Sequence, residues 1–245
     1  MRILGIESSS LVAGVAVVTD DVVTAEYNVN YKKTHSQTLL PMLDEIKKMT
    51  ELDLSTIDAI AVSGGPGSFT GLRIGSATAK GLGLALDKPL IHVPTLEAMA
   101  YNFFGTEKYV CPIMDARRNQ VYTGVYHFDE ENIICDIGQC AISIEELMKK
   151  LDMLNRKIIF VGDGIPVFRE YIDKNMKLPH IFAPSHMSRQ RAASVAALGK
   201  IYYIAGKVQT AQEHLPDYLR LSQAERERKE RAEHTDDIMQ GNDSK

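Results

Sequence analysis

Ser63-Gly64-Gly65-Pro66-Gly67-Ser68-Phe69-Thr70-Gly71-Leu72-Arg73-Ile74-Gly75 holds five of the chain's 17 glycines within thirteen residues. The residues before it, Ile57 to Val62, form a short unbroken apolar run, the pattern of a buried strand. The residues after it, Leu72 to Leu86, read as a helix. A strand, a glycine-rich turn and a helix start bring backbone N–H groups close to an anion or to another piece of chain. The loop is not a Walker A motif, because no Lys-Ser or Lys-Thr follows its last glycine. It also lacks the acidic residue about 20 positions on that a dinucleotide fold places at a strand end. From these residues alone it is either a ligand cradle or a tight turn that packing demands.

The predicted helix carries a second pattern. Gly71, Gly75, Ala79 and Gly83 recur every four residues and so share one face. Each helical glycine costs about 1 kcal/mol relative to alanine, so close approach of another element must offset the loss. That element is either the chain's own sheet or a partner.

The rest of the chain frames this junction. Arg2–Glu7, Leu11–Val18 and Val22–Asn30 are three successive β-type runs joined by tight turns, the pattern of an antiparallel meander. Ser36–Lys48 has helical spacing, with Ser36 as its cap and Pro41 tolerable only near its start. Pro89–Val93 is a further strand and Thr95–Phe104 a helix. The order β-β-β-α-β-α-β-α resembles the ribonuclease-H-like half of the actin, Hsp70 and sugar-kinase superfamily. The expected fold class is therefore α/β, two-lobed, with mixed sheets. In that superfamily the first strand turn touches nucleotide phosphate, which points to Glu7, Ser8, Ser9 and Ser10. Downstream, strands at Tyr109–Asp115, Val121–Phe128, Asn132–Gln139 and Lys157–Val161 alternate with helices at Ser143–Leu151, Ile165–Tyr171 and Ser194–Ile204. The reading divides the chain into an N-terminal lobe at 1–104, a C-terminal α/β lobe at 105–220 and a charged, flexible tail at 221–245. No internal repeat is visible in the sequence.

Composition excludes several classes. With 245 residues, 44% hydrophobic and 24% charged, the chain has an ordinary globular balance. A net charge of −4 gives no global attraction to nucleic acid. The start, Met1-Arg2-Ile3-Leu4-Gly5-Ile6-Glu7, reaches an acid too early for a signal peptide, and no apolar run is long enough to span a bilayer. Cys111, Cys135 and Cys140 are expected as reduced thiols of a cytoplasmic protein, with no zinc spacing. The seven histidines form no H-x-x-x-H or H-E-x-x-H pair, and no G-x-S-x-G elbow occurs. The adjacent Arg117 and Arg118, beside Asp115 in a hairpin turn, read as a solvated pair or an anion contact. His35 reads as a cap-region or core histidine, with a site role as the other option.

Five strings come in the order and spacing of bacterial TsaB, also called YeaZ: Ile3-Leu4-Gly5-Ile6-Glu7-Ser8-Ser9, His35-Ser36-Gln37, Gly65-Pro66-Gly67-Ser68-Phe69-Thr70-Gly71-Leu72-Arg73-Ile74-Gly75, Asp115-Ala116-Arg117-Arg118 and Pro216-Asp217-Tyr218-Leu219-Arg220. The chain resembles that family from residue 1 to about 220. It departs from it at Glu7, where the family commonly has Asp. The resemblance implies a non-catalytic scaffold subunit of the tRNA-modifying machinery that places threonylcarbamoyl on the adenosine beside the anticodon. It implies TsaD as heterodimer partner, TsaE as associated ATPase, a homodimer when TsaD is absent, tRNA contact only through the complex, and no membrane. It implies no catalytic residue and no metal here, with no cofactor held tightly and ATP or ADP as candidates at the complex interface. The interface expected from it comprises His35, Leu39, Leu40, Leu43, Gly71, Leu72, Gly75, Ala79 and Gly83. The candidate nucleotide or anion contacts are Glu7, Ser8, Ser9, Ser10, Gly65, Gly67, Arg117 and Arg118. On this reading the glycine stripe is a docking face, and Gly75→Leu should abolish pairing while leaving the monomer folded. The competing classes are an actin-like ATPase or kinase, and the metallopeptidase suggested by the older "glycoprotease" label.

Overall fold

The computed structural model describes residues 1–220, so the expected tail at 221–245 lies outside the described residues. Its first sheet contains β1 (Arg2–Glu7), β2 (Val12–Thr19), β3 (Val22–Asn30), β4 (Ala59–Gly65) and β5 (Leu90–Pro94), in the order β3-β2-β1-β4-β5. β1–β2 and β2–β3 pair antiparallel, while β1–β4 and β4–β5 pair parallel. The parallel steps require crossovers, which α1 (Leu39–Thr50) and α2 (Phe69–Leu86) supply. Pro41 lies in the first turn of α1, where its missing N–H would have had no partner. Ser36 does not cap this helix. It sits in a separate 3-10 turn at His35–Gln37, and Thr38 occupies the cap position.

The second sheet contains β6 (Tyr109–Asp115), β7 (Gln120–Asp129), β8 (Asn132–Ser143), β9 (Ile158–Val161) and β10 (His180–Phe182), in the order β10-β9-β6-β7-β8. Written from its meander, that order repeats the first sheet position for position. The helices repeat as well: α1, α2 and α3 (Thr95–Tyr101) after the first meander correspond to α4 (Ile144–Leu151), α5 (Ile165–Asn175) and α6 (Ala192–Ile204) after the second. The chain is a structural duplication of one β-β-β-α-β-α-β-α unit. Its two-lobed α/β architecture with mixed sheets is the fold class expected from the sequence.

The third helix of each unit lies between the lobes. Leu96, Met99 and Ala100 of α3 pack with Val110, Met114 and Tyr126 of the second sheet, while Ala98 joins the core of the first. α6 lies across β1, β2 and β4, so the domain division expected at 105–220 does not describe its packing. The reason is steric. A Cβ on Gly5 would sit 2.4 Å from the Ala192 carbonyl oxygen, and one on Gly199 would sit 2.5 Å from the Ala61 Cβ. An alanine-rich helix can settle that close to a strand only where glycines remove the side chains between them.

Candidate functional site

The glycine-rich junction is built as the sequence predicts and is used differently. β4 ends at Gly65 with Ser63 buried within it, and α2 starts at Phe69, three residues earlier than expected. The Ser68 hydroxyl accepts a hydrogen bond from the Gly71 amide at 3.3 Å, an N-cap that satisfies one of the helix's free donors. The Ser68 amide donates to the Ser9 carbonyl at 2.7 Å, tying the turn to the β1–β2 turn beneath it.

Every glycine of the junction singled out as a ligand contact faces the protein's own chain. A Cβ on Gly67 would lie 2.2 Å from the Ser9 carbonyl oxygen, and one on Gly65 would lie 2.3 Å from the Asp217 carbonyl oxygen. Gly65 also adopts φ +119°, a conformation that side chains rarely take. Beneath them Glu7, Ser8, Ser9 and Ser10 are buried, with Ser8 and Ser9 fully so. The Glu7 carboxylate accepts from the Ser9 amide at 2.6 Å and the Ser9 hydroxyl at 2.5 Å. Burial pushes its pKa up to about 7, against the lowering effect of those bonds. Ser8 and the Ser9 carbonyl of this turn are packed by the protein itself.

The stripe Gly71, Gly75, Ala79 and Gly83 is turned inward, as are Leu72, Leu39 and Leu43. A Cβ at Gly71 would meet the Ser8 carbonyl oxygen at 2.1 Å, one at Gly75 the Ser8 hydroxyl oxygen at 2.0 Å, and one at Gly83 the Leu90 side chain at 3.0 Å. This corrects the reading of the stripe as a docking face: these residues let α2 lie close to its own sheet. Of the expected interface residues, Leu40 is exposed. His35 is half-buried, with its Nε2 3.1 Å from the Val12 carbonyl.

The outward face of α2 lies two residues out of phase with the stripe. It presents Arg73, Ala77, Gly81 and Leu84, all exposed. Among the described residues, no atom beyond its own stretch of helix backbone lies within 4 Å of the place a Gly81 Cβ would occupy. α1 lies beside it and exposes Leu40 and Met49. Sequence reasoning missed this row because the inward stripe has more glycines. The i, i+4, i+8 repeat of Arg73, Ala77 and Gly81 was the available signal.

Between the lobes lies a cleft of about 630 Å³. Ser9, Ser10, His35 and Phe69 line it from the first lobe, and Asp115, Arg117 and Asp163 from the second. Arg117 is paired with Asp115 at 3.0 Å, and Arg118 is exposed on the same turn without lining the cleft. Arg117, Arg118 and Asn119 all have positive φ, an unusual run for residues with side chains. Burial raises the pKa of Asp163, and the nearby Asp115 charge adds to the rise. Among the described residues, no group of three or more His, Cys, Asp or Glu is arranged to hold a metal ion. No helix among them is long and apolar enough to cross a membrane.

Two copies of this unit facing each other across a cleft define the ribonuclease-H-like class that includes actin, Hsp70 and the sugar kinases. The polyphosphate/ATP-glucomannokinase of Arthrobacter shares that fold, with a TM-score of 0.51 at 10% identity over 82% of this chain and 98% of that one. Within the class, residues 23–228 match the family model of TsaD, described as tRNA N6-adenosine threonylcarbamoyltransferase. The tRNA threonylcarbamoyladenosine biosynthesis protein TsaB of Bacillus subtilis is 33% identical over 230 residues, covering 92% of this chain and 96% of that one. A Pseudomonas aeruginosa crystal structure, described as similar to peptidase YEAZ, superposes with a TM-score of 0.77 at 25% identity, covering 89% of this chain and 99% of that one. The chain belongs to the TsaB (YeaZ) family.

Proposed function

We propose that this protein is a non-catalytic subunit in the biosynthesis of threonylcarbamoyladenosine in tRNA, and that it works by docking a homologous TsaD-type partner on the outward face of α1 and α2. The observation that carries the docking reading is Gly81. A glycine inside an exposed helix costs about 1 kcal/mol relative to alanine unless something uses its bareness. Among the described residues nothing does. Arg73, Ala77, Gly81 and Leu84 make a low, partly apolar row, which suits the close approach of a partner helix.

The non-catalytic reading is supported by the β1–β2 turn. A kinase or ATPase of this class would need the turn open to phosphate, but Ser8 is fully buried against Gly71 and Gly75, and the Ser9 carbonyl is packed against Gly67, which leaves Ser10 and the edge of Ser9 to face the cleft. The partner then supplies the metal and the reacting groups, and any ATP or ADP belongs to the assembled complex. TsaE as associated ATPase, a homodimer in the absence of TsaD and a cytoplasmic setting complete the proposal.

The test is reconstitution. Gly81→Leu adds a side chain where there is room for one, so the monomer should keep its circular dichroism and melt no lower than the wild type. Gel filtration with TsaD should show the heterodimer lost, and tRNA threonylcarbamoylation should fall with it. A Gly81→Leu protein that pairs and supports modification normally would refute the docking face.

A further inference from the structure

The segment after α6 does not run off the surface. Gln209 forms a two-way backbone bridge with Leu90, N–H to carbonyl at 2.8 Å in each direction, along the free edge of β5. His214 follows, fully buried, with its Nδ1 3.1 Å from Gln209 Oε1. The chain then crosses the glycine-rich junction. The Asp217 amide donates to the Gly64 carbonyl at 2.7 Å, and the Asp217 carboxylate sits 3.1 Å from His92 Nε2. The Tyr218 ring packs on Phe69, the first residue of α2, with centroids 4.6 Å apart. The opposite end reaches the second lobe, where the Arg220 guanidinium donates to the Ala116 carbonyl at the base of the Arg117–Asn119 turn. Asp217, Tyr218, Leu219 and Arg220 all line the interlobe cleft.

We propose that residues 214–220 are an interlobe strap that fixes the angle between the lobes and fills part of the cleft with the protein's own chain. Two lobes joined by a few crossings are expected to hinge unless something bridges the opening between them. The connection at 102–108 and the segment leading into α6 cross near the interlobe helices. The strap crosses at the cleft itself, anchored on Gly64, His92 and Phe69 at one end and Ala116 at the other. The two conspicuous sequence features at the cleft, the glycine turn and the arginine turn, thereby become its anchor points. Gly65 has to be glycine because the strap's backbone passes over it.

A strap acts only while both ends hold, and that separates it from two unrelated surface contacts. In the full-length protein, Arg220→Met removes the second-lobe anchor and Tyr218→Leu removes the stacking on the first. Hydrogen exchange read by mass spectrometry should then speed up about tenfold at both 62–71 and 116–120 in either variant. Small-angle scattering should show a larger radius of gyration. Exchange in β1 and β6 should stay native, which reports that each lobe is still folded. Acceleration confined to the mutated end would overturn the proposal. So would unchanged exchange at both ends, or a uniform rise across both sheets, which would make the segment a stabiliser of the whole fold and not a lock on the lobes.

Discussion

The Glu7 carboxylate turns back on its own chain and is held by Ser9, through the amide at 2.6 Å and the hydroxyl at 2.5 Å. The pair closes the end of β1 and leaves an acid fully buried with its pKa pushed up to about 7 by desolvation. The ordinary carboxylate value applies in the unfolded chain, so the folded state holds this proton more tightly. Its stabilising effect is fully present below about pH 4.5 and is lost as pH rises through 7. The wild-type midpoint in urea should therefore fall between pH 5 and 8 relative to Glu7→Gln, which carries no such proton. Parallel profiles for the two proteins would show that Glu7 does not titrate in this range.

His214 sets the opposite slope on the acid side. It is buried, and its pKa is lowered to about 4 by desolvation, with the neighbouring His92 and Lys80 charges adding to the effect and Asp217 opposing it. The unfolded imidazole takes up a proton first, so stability is complete above about pH 6.5 and is lost as pH falls toward 4. His214→Gln should flatten the melting-temperature profile across that window. A variant that still loses stability as steeply would place the sensitivity elsewhere.

The two faces of α2 should respond in opposite ways to the same substitution. Gly71→Ala puts a Cβ 2.1 Å from the Ser8 backbone carbonyl, which cannot rotate aside, and should destabilise the fold by about 1–3 kcal/mol. Gly81→Ala meets none of the described residues and should stabilise it by about 0.5–1 kcal/mol while weakening association with the partner. Chemical denaturation of the two variants decides the matter, and equal effects would contradict the orientation of the helix.

Gly75→Leu, which the sequence reading expected to leave the monomer intact, should fail as a clean interface variant. Its side chain would enter the space between Ser8 and Val62. The expected result is loss of several kcal/mol of stability, seen as a lowered melting temperature before any partner is added. A normally stable monomer would show that the inward packing at Gly75 is loose.

The interface between α6 and the first sheet gives a further check. Gly199→Val would drive a side chain into Ala61, whose Cβ stands 2.5 Å from the new Cβ position. Overpacking there should cost about 1–3 kcal/mol. Gly206→Ala is not a neutral control despite its open surroundings, because its φ of +71° strains a side chain on its own. Gly138→Ala, with open space and ordinary φ, is the comparison, and its stability should stay near wild type.

Much of the fold was legible because local patterns report local structure. Short β-type runs between tight turns marked β1 to β3, and helical spacing marked α1 and the bare face of α2. The capping-box spacing of Ser143 and Glu146 is equally local, and the Ser143 hydroxyl accepts the Glu146 amide at 3.1 Å. Three-residue β10 was not legible, since it is too short to show a period. The duplication was invisible as well, because two units can share a topology without sharing side chains.

What the sequence determined by itself was the existence of a bare face on α2 and of a tight turn before it, since spacing sets which residues share a side and glycine sets what the backbone can do. It also carried the strings that identify the family. Only the tertiary structure decided what the bare face meets. Gly71 and Gly75 face Ser8 because the β1–β2 turn folds beneath the helix, and Gly65 faces Asp217 because a segment about 150 residues later returns across it. Close approach is a relation between two pieces of chain, and a helix's own residues specify only one of them.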